Sequence, residues 1–336
     1  MTRQMSDAGV VYAPRYNITL FGVERLHPFD SRKYGRAWAE LRRRVGPKLA
    51  EHHLRPGGPV TDSDLRTVHT ARYLDVDTRS TKYLARALEL PPVARAPRWL
   101  INWRVLGPMR WATAGTILAA REALRRGGTV LNLSGGYHHA SQGRGEGFSI
   151  FSDIGVAVAV LRRDNRLGMT DRILYIDLDA HQGNGVARVF AEDRSVFIFD
   201  LYNRQIYPND AEARRRIDHD VPIPSGYDDA RYLGALRREL PRFLDGIARL
   251  PGAAPRIAVY NAGTDILAGD PLGRLSVSAD GVFERDRIVL TELARRKIPC
   301  VVLPSGGYTR ESYKLIARTA EWLLTCSERG AKGPAT

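Results

Sequence analysis

The sequence predicts one α/β domain in which a mostly parallel β-sheet lies between layers of helices. Three observations lead there. Short apolar runs alternate with longer stretches of helical character. Four of the runs end in clusters of small and chemically active side chains. The apolar share, 43%, suffices for a full core over 336 residues, and no composition shift divides the chain.

Val10–Tyr12 reads as the first strand. The Pro-rich stretch 91–108 reads as a surface loop. Residues 112–126 are helix formers, stopped by Gly127 and Gly128. Val130–Leu133 is the second strand, and residues 152–163 form the next helix. Ile173–Ile176 is a continuous apolar run, the mark of a strand buried on both faces. Val196–Phe199, Ile257–Tyr260 and Val301–Leu303 are further strands. Residues 228–249 form a helix between them, and a last helix runs from about Glu311 to Cys326. The domain is expected to span 10–326, with flexible termini at 1–9 and 327–336.

Composition excludes several classes. No run of about 18 apolar residues is present, so no membrane span is expected. Residues 1–10 lack an apolar signal core. Cys300 and Cys326 do not suggest a disulfide framework, and a reducing, cytoplasmic location is expected. The formal charge of +14 invites a nucleic-acid reading. However, the arginines are scattered over helix faces and no aromatic stacking platform accompanies them, so nucleic acid is not expected as the main partner.

Function is written in the strand-end clusters. Asp177, Asp179 and His181 follow Ile173–Ile176 at alternating positions, with Gly183 and Gly185 behind them. Alternation on an extended backbone aims three side chains to one side. The other clusters are Ser134–His139, Asn261–Asp265 and Pro304–Tyr308. In a parallel sheet all four gather at the carboxyl edge, where such folds place their sites. Asp179, His181 and Asp265 offer two oxygens and a nitrogen, an open three-ligand set that suits zinc and also admits iron(II). Plain capping roles for the two aspartates leave the spacing with His181 unexplained. His138 and His139 are placed to move protons, Asp177 to fix the tautomer of one ring, and Tyr308, after two glycines on a mobile loop, to donate to an oxyanion. Together these parts describe metal-assisted hydrolysis of an amide.

These residues occur in a wider set: Tyr16 to Thr19, His27 to Asp30, Gly135 to His139, Gly147 with Phe148, Asp177 to Gly185, Tyr202 to Arg204, Asn261 to Leu267, and Ser305 to Tyr308. As a set they resemble the zinc-dependent histone deacetylase superfamily, most closely its class IV branch, from about Val10 to Leu324. The resemblance implies an arginase-like single domain with an eight-stranded parallel sheet. It implies Asp179, His181 and Asp265 as zinc ligands, His138 and His139 as the catalytic pair, and Tyr308 as the carbonyl-polarising group. Gly147, Phe148 and Gly307 then belong to the substrate contacts, with Tyr207 the candidate for the opposite tunnel wall. Asp177 and Asp200 match a structural potassium site. Asn184 stands where many members have an acid behind the second histidine, which fits the class IV pattern. That branch implies removal of long acyl chains as well as acetyl.

The implied partners are an acyl-lysine protein or a small acylated amine. An acylpolyamine deacetylase shares the chemistry and stays open. A two-manganese hydrolase would need further carboxylates, and Gly183 stands where one would be expected. A non-catalytic binding protein would not need the full catalytic set. The excess of positive charge disfavours strongly basic peptides unless the tunnel rim is acidic.

Overall fold

The computed structural model describes residues 8–19 and 29–331 of the chain. His27 and Pro28, and most of the terminal segments expected to be flexible, lie outside the described residues. Regular structure passes the expected 10–326 bounds, since Gly9 is already in the first strand and the last helix runs to Ala331.

Eight strands form one sheet: β1 (Gly9–Val11), β2 (His53–Leu54), β3 (Thr129–Asn132), β4 (Ile173–Asp177), β5 (Val196–Asn203), β6 (His219–Ile223), β7 (Ile257–Asn261) and β8 (Cys300–Leu303). Their order is β2-β1-β3-β8-β7-β4-β5-β6, and every pairing is parallel. Alternate residues feed two separate cores. Leu174, Ile176, Ala258, Tyr260 and Val302 pack on one face, and Ile173, Tyr175, Ile257, Val259 and Val301 on the other. Burial on both sides is why these strands are unbroken apolar runs.

Sequence reading found the six inner strands and missed β2 and β6. These are the two sheet edges. β2 has only two residues, and β6 carries His219, Asp220 and Pro222 and is mostly half-buried. Edge strands tolerate proline and polar residues because one side pairs with nothing.

The stretch 91–108 is not a surface loop. A 3₁₀ turn (Pro91–Arg95), a short α-helix (Arg98–Ile101) and a π turn (Asn102–Leu106) lead into the Gly107–Arg126 helix. Val93, Ile101, Val105 and Leu106 are buried. Pro91, Pro92 and Pro108 fall in first turns, and Pro97 just precedes one. In a first turn the missing N–H has no partner to lose. Pro91, Pro92 and Pro97 begin helical turns, and Pro108 sits where the π turn passes into the long helix without breaking it. The long helix stops as expected, with Gly127 left-handed at φ 67°.

Cys300 and Cys326 are buried and not bonded to each other. Among the described residues no helix is long and apolar enough to cross a membrane.

Candidate active site

β3, β8, β7 and β4 are neighbours in the sheet, so the four polar loops leaving them meet at one place. Strand β4 ends at Asp177, and residues 178–183 have no regular structure, with bends at 179–181. Turn geometry, rather than strand alternation, therefore aims Asp179 and His181. Asp179, His181 and Asp265 are buried, with candidate ligand atoms within 4.8 Å of one another. His181 Nδ1 lies 2.9 Å from Asp265 Oδ2 and 3.1 Å from Asp179 Oδ1. Backbone N–H groups orient the carboxylates: Gly306 donates to Asp179 at 2.8 Å and Ala180 to Asp265 at 2.9 Å. A Cβ on Gly263 would lie 2.1 Å from Asp179 Oδ2, so only glycine lets the loop come this close.

The triad is electrostatically strained as an isolated set. Burial, then Asp179, pushes the Asp265 carboxyl up to about 7. Burial lowers His181, but its hydrogen bonds to Asp179 and Asp265 outweigh this and hold it near 10. Two carboxylates and an imidazole converging in a buried site are the donor set of a divalent cation. The residues present fit such an ion.

The histidine pair lies beside the triad, both rings buried and 4.1 Å apart. His138 Nδ1 donates to Asp177 Oδ2 at 2.8 Å, and Asp177 is fixed by the Tyr175 hydroxyl and by Asn261 Nδ2. His139 Nδ1 donates to Asn184 Oδ1 at 2.7 Å. Burial lowers both rings, but Asp177 and Asp179 more than restore His138, which is raised overall. Burial, with His138 and His181, depresses His139 well below its usual range. Opposite shifts on adjacent groups separate a charged role from a neutral one.

Two cavities meet at this point. An entrance is lined by Glu89, His181, Gln205, Tyr207, Leu272 and Arg274, among others. A second, narrow space is strongly apolar and includes Ile18, Phe29, Leu88, Leu90, Val105 and Met109. His139, Gly147, Phe148 and Tyr308 line both and so form the neck between them. The Tyr308 ring is 6.0 Å from Phe148 and 5.9 Å from His181. A Cβ on Gly147 would lie 2.4 Å from the His139 ring. Tyr207 meets His139 edge-on at 5.2 Å, on the entrance side. Gly307 lines neither cavity. It turns the backbone at φ 132°, where an added Cβ would meet Thr264 and Ser312.

Asp200 lies beside this centre. Gly183 N–H donates to its Oδ2 at 2.9 Å, while its buried Oδ1 has no hydrogen-bond partner. Burial and then Asp177 push its carboxyl well up. An orphaned carboxylate oxygen close to a second carboxylate suits a monovalent cation.

Several residues were not foreseen. Val105 and Met109 lie in or next to the stretch read as loop, although Ile101, Val105 and Met109 are spaced at helical i, i+4, i+8. Lys33 is fully buried, with Nζ donating to the carbonyls of Ser305 at 2.5 Å, Gly306 at 3.0 Å and Gly307 at 3.5 Å. Burial brings it down to about 8 against the pull of Asp265 and Asp179. With Ser305 Oγ donating to Gly136 O and Tyr308 N–H to Asp270, the loop is tethered, where its glycines suggested mobility. Lys33→Met leaves those carbonyls without their buried donor. It is expected to destabilise the fold by about 1–3 kcal/mol and to slow turnover as Tyr308 loses its place. Thermal melts and kcat check this, and an unchanged melting midpoint would show that the tether carries no load.

Comparison with known proteins agrees with the geometry. Residues 27–323 match the family model described as the histone deacetylase domain. The chain is 40% identical to histone deacetylase 2 of Arabidopsis thaliana over 318 residues, 94% of this chain and 79% of the relative. It is 26% identical to a probable deacetylase of Methanothermobacter thermautotrophicus, over 90% of this chain and 86% of that one. The fold is similar to the crystal structure of the HDA15 HD domain, with a TM-score of 0.73 at 20% identity, covering 94% and 90% of the two chains.

Proposed function

The chain belongs to the histone deacetylase family, and from that premise we propose that it is a zinc-dependent hydrolase of acylated lysine side chains. Family membership supports a deacetylase hydrolase. The finer reading rests on one observation above all: a buried Asp179–His181–Asp265 triad opens onto a narrow neck with an apolar chamber behind it.

Asp179, His181 and Asp265 would hold the ion, for which zinc suits the donors best. When bound, a divalent ion there polarises the substrate carbonyl and acidifies water. The chain supplies the rest. His139, held neutral by its surroundings, accepts the proton of the attacking water through Nε2. His138, whose charge Asp177 supports, donates to the departing amine. Tyr308 donates its hydroxyl to the carbonyl oxygen as charge develops there. The Phe148 and Tyr308 rings flank the aliphatic lysine stem and restrict water at the neck. Asp177 and Asp200 would hold a potassium ion that stiffens the loop beneath.

The apolar chamber supports chains longer than acetyl, because each buried methylene contributes about 0.8 kcal/mol. The entrance supports a peptide without strong positive charge, since Glu89 is answered there by Arg274. An acylpolyamine would call for a more acidic entrance. The test is a screen of one lysine peptide acylated from acetyl to myristoyl, each with acidic or basic flanks. Decanoyl and longer chains are expected to exceed acetyl in kcat/KM by at least about tenfold, and acidic flanks to be favoured at low salt. Preference for acetyl with decline at every added carbon would exclude the long-chain reading.

A further inference from the structure

The hydrogen-bond chain behind His139 does not end at Asn184. Asn184 Nδ2 donates to Glu146 Oε1 at 2.8 Å, while Asn184 Oδ1 faces His139 Nδ1 at 2.7 Å. Glu146 is itself held by Arg144 at 2.7 Å and Arg188 at 3.4 Å, and its side chain is only 14% exposed.

A primary amide has a donor end and an acceptor end of almost the same shape. Asparagine alone therefore does not select a histidine tautomer. With Oδ1 inward, His139 must carry its proton on Nδ1, which leaves the Nε2 lone pair free. With Nδ2 inward, Nδ1 must be bare and Nε2 carries the proton, so the ring cannot accept another there. A carboxylate at this position would have acceptors only and no such ambiguity.

We propose that Glu146 is the positioning residue that removes this ambiguity. Bracketed by two arginines, its carboxylate accepts the Asn184 amide N–H and turns the amide oxygen toward His139. His139 then presents Nε2 as the proton acceptor. The reversed amide would set oxygen against carboxylate and lose the Glu146 hydrogen bond, and it would keep one to His139 only with the ring in the Nε2–H tautomer. Ring reversal of His139 would turn Cδ2 toward the Asn184 oxygen and break the same bond. Glu146 directly precedes Gly147 and Phe148, so the segment that narrows the neck also sets the state of the base.

The kinetic consequence rests on the hydrolase reading, while the tautomer does not. Glu146→Gln keeps the shape but offers Asn184 a donor as well as an acceptor. It is expected to lower kcat about tenfold, the worth of one ordinary hydrogen bond, with KM changed less than about twofold. In an Asn184→Asp background the carboxylate needs no orienting partner, and Glu146→Gln should then cost nothing. Equal losses in both backgrounds would overturn the proposal. ¹⁵N-histidine spectra of the full chain provide a readout that needs no turnover. The wild type should show His139 as the Nδ1–H tautomer, and Glu146→Gln a mixture of both. A mixture supports the proposal whether or not any acyl-lysine is hydrolysed. An unchanged single tautomer in the variant refutes it.

Discussion

Replacing Asp179 by asparagine is expected to remove the metal and abolish turnover together. Asp179 faces His181 through Oδ1 and takes the Gly306 N–H on Oδ2, so it links the triad to the loop bearing Tyr308. Asparagine preserves the shape but removes the charge that holds a cation. Elemental analysis should find near one divalent ion per wild-type chain and less than about a tenth of that in the variant, since first ligands matter more than outer partners whose loss already costs 10–100-fold. Full metal content with full turnover would sink the assignment. Stability should move the other way in metal-free protein. The Asp265 carboxyl is raised to about 7 by burial and by Asp179. A raised acid contributes stability that is present below its unfolded value of about 3.9 and lost as pH rises through 7. His181, raised to about 10, acts in the same direction at higher pH. Metal-free wild type should therefore melt lower at pH 8 than at pH 5. Added zinc should reverse this by binding only the folded state, and Asp179→Asn should show neither the full fall nor the rescue.

How much of this was legible follows from what each part needs. The inner strands had to be apolar on both faces, and their runs were plain in the sequence. The edges β2 and β6 carry no such demand and left no pattern. The triad, the histidine pair and Tyr308 were legible because their chemistry requires particular side chains at strand ends. Lys33 and Glu146 were not, because each works through a partner distant in sequence. Lys33 reaches the Ser305 carbonyl across 272 positions and Glu146 meets Asn184 across 38. A lone lysine at the start of the helix Lys33–Val45 and a lone glutamate beside Gly147 read as ordinary surface charges. The prolines of the stretch 91–108 carry a loop signal that masks the helical spacing of Ile101, Val105 and Met109.

Tyr308→Phe is expected to lower kcat by about 10²–10³ while KM changes little, the usual cost of one oxyanion donor. The substitution removes a single oxygen from a ring packed against Phe148 and His181, so the neck keeps its walls. The hydroxyl must stay protonated to donate. Burial, and then Asp265, Asp179 and Asp270, raise it well above the ordinary tyrosine range. The tethered backbone bears on the same point. Tyr308 N–H is fixed to Asp270, and the preceding carbonyls to Lys33. A donor set in place before the reaction needs no reorganisation when charge develops on the carbonyl oxygen. If instead Tyr308 served mainly to bind the acyl-lysine, phenylalanine would raise KM and leave kcat nearly intact. Steady-state kinetics on the best acyl-peptide, with metal content shown to match wild type, separates the two outcomes.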